Sequence, residues 1–184
     1  MTETSSMVTL GRADESGHSG DLLPNRELKI DEHGEILVRG ETLFLGYLEA
    51  NRLHRPLDEQ GWFATGDLGF LDTKGRLHWK GRKDHLFISL GENIQPEEIE
   101  AILLEAPNIK QAIVVPVSDE EYGAFPIAFV DCIEPINVPL LQSFVKERLP
   151  SFKVPRHFIA LKESYGLKPS RSLLTLEASK LLKQ

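Results

Sequence analysis

The stretch Gly61-Trp62-Phe63-Ala64-Thr65-Gly66-Asp67-Leu68-Gly69-Phe70-Leu71 enters the turn Asp72-Thr73-Lys74-Gly75 and leaves it through Arg76-Leu77-His78-Trp79-Lys80, and it decides how the first half of the chain folds. Two β-prone runs, residues 66–71 and 76–80, flank a four-residue turn. The same grammar stands upstream, where residues 27–30 and 35–39 flank Asp31-Glu32-His33-Gly34. Turn residues recurring between short β-prone runs predict a small antiparallel sheet or open barrel, built as a meander of tightly connected hairpins. Trp62, Phe63 and Trp79 read as core of that sheet.

Upstream, the first 25 residues are rich in Ser, Thr and Gly and read as loop outside the core. Downstream, the texture changes near Gly81 to Asp84. Pro96-Glu97-Glu98-Ile99-Glu100-Ala101-Ile102-Leu103-Leu104 puts Pro at a helix start and acids in its first turn, where they complement the dipole. Residues 111–117 and 126–133 are strand-length runs rich in β-branched residues. Leu140, Leu141, Phe144, Val145 and Leu149 recur at helical spacing over 138–149. Residues 156–161 make a further strand, and Ser170 is placed to cap a last helix ending at Leu181-Leu182. The expected fold is α+β: a small antiparallel β-barrel-like segment over residues 1–83, then a compact α+β domain over 84–184.

Composition narrows the classes. The chain has 184 residues, 41% hydrophobic and 27% charged, with net charge -7, as in soluble globular proteins rather than disordered or fibrous ones. No long apolar run or signal-peptide pattern occurs, so no membrane partner is expected and the expected location is cytoplasmic. A single cysteine, Cys132, cannot form an internal disulfide. Charge is uneven: from Lys146 onward nine Lys or Arg stand against three Glu, a tail of +6. Such a tail suits polyphosphate, CoA or nucleic acid, or simply a solvated face. A nucleic-acid partner is not expected, because no recognition motif accompanies the charge. The six histidines lack paired spacing for zinc, and neither a Gly-x-Ser-x-Gly elbow nor a Gly-Lys-Ser/Thr P-loop is present.

Three blocks follow one another in order: residues 61–69, Gly81-Arg82-Lys83-Asp84, and Ser89-Leu90-Gly91-Glu92-Asn93-Ile94-Gln95-Pro96-Glu97-Glu98-Ile99-Glu100. With Met1-Thr2-Glu3-Thr4-Ser5-Ser6 ahead of them, the series resembles the C-terminal portion of the adenylate-forming (AMP-binding) acyl-CoA synthetases, over essentially the entire chain. The form Gly166-Leu167-Lys168-Pro169-Ser170-Arg171 departs from the common pattern, in which the lysine follows a Thr-Gly pair. It resembles instead the o-succinylbenzoate–CoA ligase branch, of the menaquinone pathway. Residues 93–98 and 115–123 lean the same way.

The resemblance implies an AMP-forming ligase that first joins a small-molecule carboxylic acid to ATP as an acyl-adenylate and then transfers the acyl group to CoA, with Mg2+ as cofactor. It implies ribose contacts for Asp67, whose carboxylate can accept two hydrogen bonds from a vicinal diol, and ribose or phosphate contacts for Arg82. By the same resemblance Thr2 contacts phosphate, Glu3 contacts Mg2+, and Asp84 is the hinge of a mobile lid. Gly91 lies where pantetheine passes, and Lys168 is the catalytic cation for adenylation. Pro169 stiffens a loop expected to move. Taken without the resemblance, Asp67 can also be read as an Asx-turn residue, Arg82 as a rim ion pair, Gly91 as a turn glycine and Lys168 as a solvated loop lysine.

The family's Ser/Thr/Gly-rich phosphate loop is not among these residues, so the chain is expected to need an N-terminal adenylation region as partner and to be inactive alone. Residues 1–80 are expected to be less stable than residues 85–184 or to expose an apolar patch. Two other readings remain open: a ligase for another aromatic or fatty acid, and a non-catalytic module binding CoA, nucleotide or a partner protein.

Overall fold

In the computed structural model the described residues are 1–11, 17–119, 123–162, 165 and 169–182. The Asp…Gly turns form as their chemistry dictates. Asp31 accepts from the N–H groups of His33 and Glu35, and Asp72 from those of Lys74 and Arg76. Each turn closes with a Gly N–H donating to the Asp carbonyl. Their flanking strands are β3 (Arg26–Ile30) with β4 (Glu35–Gly40), and β7 (Phe63–Leu71) with β8 (Leu77–Arg82). All four join in one antiparallel sheet, in the order β3-β4-β7-β8. One connection is not tight: between β4 and β7 the chain makes a separate hairpin of β5 (Tyr47–Glu49) and β6 (Arg52–His54).

The N-terminal stretch is more ordered than a loop. A 3-10 turn spans Thr2–Thr4, and β1 (Thr9–Leu10) pairs with β2 (Asp21–Leu22). Thr4 is buried because its hydroxyl is satisfied locally, against the carbonyls of Met1 and Ser6. A short polar side chain that closes its own turn can enter an interior, which a count of apolar residues does not anticipate.

The chain divides into two compact units, Met1–Asp84 and His85–Gln184. In the first, Ile36, Val38, Phe63 and Leu77 form the buried cluster, with Val8, Leu28, Phe44 and Leu57 partly buried around it. Trp79 is not core: it is 47% exposed. Trp62 lies beneath the cations of Lys29 and Arg39. Leu45, Leu48 and Leu53 are exposed on and beside the β5–β6 hairpin.

The second unit opens with a ribbon of β9 (Phe87–Ser89) and β10 (Glu92–Ile94), followed by α1 (Pro96–Leu104), whose bounds are those expected. Then come β11 (Ile109–Asp119), β12 (Gly123–Cys132), α2 (Val138–Lys146), β13 (His157–Ala160) and α3 (Arg171–Leu181). β12 is the central strand, antiparallel to β11 and parallel to β13. The near-continuous apolar runs of β11 and β12 arise because both faces of this sheet are covered. Ala112, Val114, Ala128 and Val130 face a cluster with Ile99 and Leu103 of α1 and Leu141 and Val145 of α2. Their alternates Ile113, Val115, Val117, Ile127 and Phe129 face Leu174 and Ala178 of α3. Full burial of each large aliphatic or Phe side chain is worth about 1.5–3 kcal/mol, so this unit is stabilised from two sides.

α2 ends at Lys146, short of Leu149. Its cap is Asn137, whose side chain accepts from the N–H of Leu140. Ser170 precedes α3 but makes no side-chain cap bond; its hydroxyl meets that of Ser172 at 2.7 Å.

Candidate functional site

Asp67 and Arg82 lie directly opposite each other on β7 and β8. Arg82 Nη1 is 3.7 Å from Asp67 Oδ1 and donates to the Thr65 carbonyl at 3.0 Å, while its Nε donates to Asp84 Oδ1 at 3.1 Å. To reach that carbonyl the guanidinium crosses over Gly66, where a Cβ would come within 2.9 Å of Nη2. Gly66 also has φ +71°. The glycine before the aspartate is thus required twice, by backbone sign and by the passage of the arginine.

The strand around Asp67 is pinned by polar contacts. Thr65 Oγ1 donates to the Ile36 carbonyl at 2.8 Å and accepts from the Asp67 N–H at 3.0 Å. Buried Glu35 accepts from the Gly66 N–H at 2.9 Å with Oε1, and Lys83 Nζ stands 2.6 Å from its Oε2. Trp79 Nε1 donates to Asp67 Oδ1 at 3.2 Å, which fixes the carboxylate's orientation.

Glu3 belongs to the same neighbourhood. Its carbonyl accepts from the Phe44 N–H, and its carboxylate accepts from the Tyr47 hydroxyl at 3.1 Å. Phe44 packs edge-on against Tyr47 and against core Phe63, with ring centroids 4.7 and 5.4 Å apart. Burial raises the Tyr47 phenol above its ordinary value, and the Glu3 carboxylate raises it further. The Arg82 guanidinium is held still more firmly charged, first by Asp84, against a smaller desolvation effect, and also by the charges of Asp67 and Glu3. Glu3 and Tyr47 thus make one bonded pair and Asp67 and Arg82 another, with the Glu3 charge acting on Arg82 and exposed Thr2 beside Glu3 in the 3-10 turn.

Asp84 lies in the 3-10 turn Lys83–His85, with its side chain 65% exposed. Gly91 sits in the tight turn between β9 and β10 with φ +81°, where a Cβ would meet nothing within 4 Å. What demands glycine there is the backbone conformation, and the space beside it is open. Lys168 lies outside the described residues. Of the described residues that precede it, Tyr165 donates its hydroxyl to Glu177 and Lys162 lies 2.8 Å from the same carboxylate. Just after it, Arg171 donates to both oxygens of Glu100, at 2.6 and 2.9 Å, and to the Val114 carbonyl at 2.7 Å.

Among the described residues no group of three or more His, Cys, Asp or Glu side chains converges as a metal site. The donor set around Glu3, one accessible carboxylate, fits Mg2+ as that ion is commonly held, through one or two carboxylates with waters and substrate phosphates completing the shell. Sequence reasoning missed Tyr47, Trp79, Glu35 and Thr65. Thr65 alone had a local signal, in the Thr-Gly-Asp triplet; the others join by strand register and by the β5–β6 hairpin.

An aspartate and an arginine opposed on neighbouring strands of a small antiparallel sheet, followed by a second α+β unit, can be set beside known proteins. Residues 98–170 match the AMP-binding enzyme C-terminal domain. It is 39% identical over 171 residues to the 2-succinylbenzoate–CoA ligase of Bacillus licheniformis, covering 86% of this chain and 36% of that protein. Among solved structures it resembles wild-type Escherichia coli MenE with a bound m-phenylether-linked analogue of OSB-AMS, at 35% identity and TM-score 0.81, over 98% of this chain and 39% of that one. It also resembles the o-succinylbenzoate coenzyme A synthetase (MenE) of Bacillus subtilis in complex with ATP and magnesium ion, at 34% identity and TM-score 0.77, over 88% and 36%. The chain spans little more than a third of the length of the relatives it matches. No helix among the described residues is long and apolar enough to cross a membrane.

Proposed function

We propose that this chain is the C-terminal part of an ATP-dependent, AMP-forming acid–CoA ligase acting on o-succinylbenzoate, and that it works with an N-terminal adenylation region supplying the phosphate loop and acyl pocket. The observation that carries this reading is the pair Asp67 and Arg82, opposed on neighbouring strands with the Trp79 indole N–H bonded to the aspartate.

In the first half-reaction a carboxylate oxygen of the acid attacks the α-phosphorus of ATP and pyrophosphate leaves. Asp67, oriented by Trp79, accepts from the ribose hydroxyls, and Arg82 supplies a permanent cation beside them. Thr2 contacts phosphate, and Glu3 would hold Mg2+, which when bound neutralises phosphate charge. Lys168 meets the charge developing between the carboxylate and the α-phosphate. In the second half-reaction the CoA thiol attacks the acyl carbon and AMP leaves. Rotation about Asp84 exchanges Lys168 for the Gly91 turn, whose open side lets the pantetheine thiol approach. A cytoplasmic setting belongs to the same reading.

The test is to join the chain to the N-terminal region of the B. licheniformis ligase and, in parallel, to that of a fatty-acid ligase. Formation of o-succinylbenzoyl-CoA and AMP by the first, at least about tenfold faster than thioester formation by the second, is the expected result, because a matched pair keeps its orienting contacts. A folded joined protein that makes no thioester overturns the ligase reading. Equal rates in the two hosts overturn the choice of acid.

A further inference from the structure

The polypeptide passes from the first unit to the second through the turn Lys83–His85, and the side chains on either side of Asp84 are each committed to a buried carboxylate of their own unit. On the first side Lys83 Nζ lies 2.6 Å from Glu35 Oε2, and the Glu35 side chain is only 9% exposed. Its other oxygen accepts from the Gly66 N–H at 2.9 Å, so this carboxylate is built into the sheet. On the second side His85 Nδ1 is hydrogen-bonded to Glu97 Oε1, whose side chain is 7% exposed. Gln95 donates to the other Glu97 oxygen, and Arg171 Nη2 lies 3.4 Å from Oε1. Glu97 stands in the first turn of α1, where the helix dipole favours its charge.

We propose that Glu35 and Glu97 are positioning residues that clamp the two ends of the junction, one to each unit, and so confine backbone rotation between the units to the torsions around Asp84. A bond to a buried carboxylate resists opening far more than a surface pair, because opening it strands a desolvated charge. With Lys83 fixed to one body and His85 to the other, bending cannot spread along the chain as it does in an unclamped linker. A single-residue pivot turns a change in one φ/ψ pair into a defined swing rather than a diffuse one. The purpose given to the swing rests on the ligase reading; the clamps themselves do not.

Residue-resolved amide hydrogen exchange on the 184-residue chain tests this. Lys83→Met removes the first clamp and leaves Glu35 bonded to Gly66. It should raise exchange at residues 82–84 by about tenfold or more while residues 86–88 stay within about twofold, as expected for loss of one charge-assisted bond. His85→Phe should do the reverse, loosening 86–88 and sparing 82–84. Lys83→Arg and His85→Gln, which keep a donor, should restore the original pattern. The proposal is overturned if either breaking variant loosens both flanks equally, if neither flank changes, or if the loss of protection spreads over the whole of β4 and β7 or of α1 and β11. Failure of thioester formation in the joined protein would sink the ligase reading and leave this result standing. Symmetric exchange in an active ligase would sink only the pivot.

Discussion

The two units solve the problem of cohesion differently. The second buries apolar side chains on both faces of one sheet, under α1 and α2 on one side and α3 on the other. The first has a single small cluster around Ile36, Val38, Phe63 and Leu77, leaves the leucines of its β5–β6 hairpin exposed, and relies on polar side chains to fix its strands. Glu35, Thr65, Asp72 and Arg82 all bond to backbone groups. Those same polar contacts orient the nucleotide candidates. The difference teaches that apolar stabilisation is concentrated in the second unit and the geometry of the nucleotide candidates Asp67 and Arg82 in the first, so substitutions should separate the two.

The largest separation is expected from Phe129→Ala. It opens a cavity in the second unit and should cost about 3–5 kcal/mol there. Both tryptophans, Trp62 and Trp79, lie in the first unit, so their fluorescence reports it alone. The far-UV dichroism transition, dominated by the helices of the second unit, should fall in temperature while the tryptophan transition moves little. A shared shift would mean that the units melt as one body.

Next comes Lys168→Ala in the protein joined to its N-terminal region. Adenylation, followed by ATP–pyrophosphate exchange, should drop by about 100- to 1000-fold, as for removal of one preorganised electrostatic group. Both thermal transitions should stay in place. Gly66→Ala sharpens the comparison from the other side. It forces a side chain to positive φ and displaces Arg82, at a cost of about 1–3 kcal/mol. ATP affinity and tryptophan fluorescence should report that loss, and the helical signal should not.

The smallest effect is on acid stability. Burial works to raise the Glu97 carboxyl, but bonds from His85 and Gln95 and the charge of Arg171 outweigh it and hold the group below its usual 4.5. A depressed carboxyl contributes stability that is present above its unfolded value and is lost as pH falls through the folded one. Asp72 in the first unit, held far down by the N–H of Arg76 with further bonds from the Arg76 side chain, Lys74 and His78, follows the same sign. In a titration of thermal midpoint against pH, the second unit should therefore lose stability below about pH 4.5 and the first below about pH 3.8. Glu97→Gln should flatten the slope of the second unit only.

Much of this was legible in the chain. The Asp…Gly turns, α1 from its Pro-Glu-Glu start, and the β-branched runs of β11 and β12 follow local rules, and local rules survive folding. What escaped depends on long-range placement. Thr4 is buried because it bonds to its own turn, and a Ser/Thr-rich stretch gives no hint of that. The strand pattern resolves tight hairpins but not the long excursion from β4 to β7, which brings Tyr47 to Glu3. Trp79 was read by its hydrophobicity; its place in β8 puts the indole N–H on Asp67 instead. The Thr-Gly-Asp triplet and the arginine of Gly81-Arg82-Lys83-Asp84 were visible as motifs, whereas their register as opposed residues came only with the sheet.

The central claim is that one chain serves two half-reactions with different residues, and a crossed assay of the joined protein tests it most directly. ATP–pyrophosphate exchange would be compared with release of AMP from supplied o-succinylbenzoyl-adenylate and CoA, in Lys168→Ala and Gly91→Trp. The account predicts a crossing: Lys168→Ala loses exchange and keeps thioester formation, while Gly91→Trp keeps exchange and loses thioester formation. Loss of both reactions in both folded variants, or of neither, would contradict it.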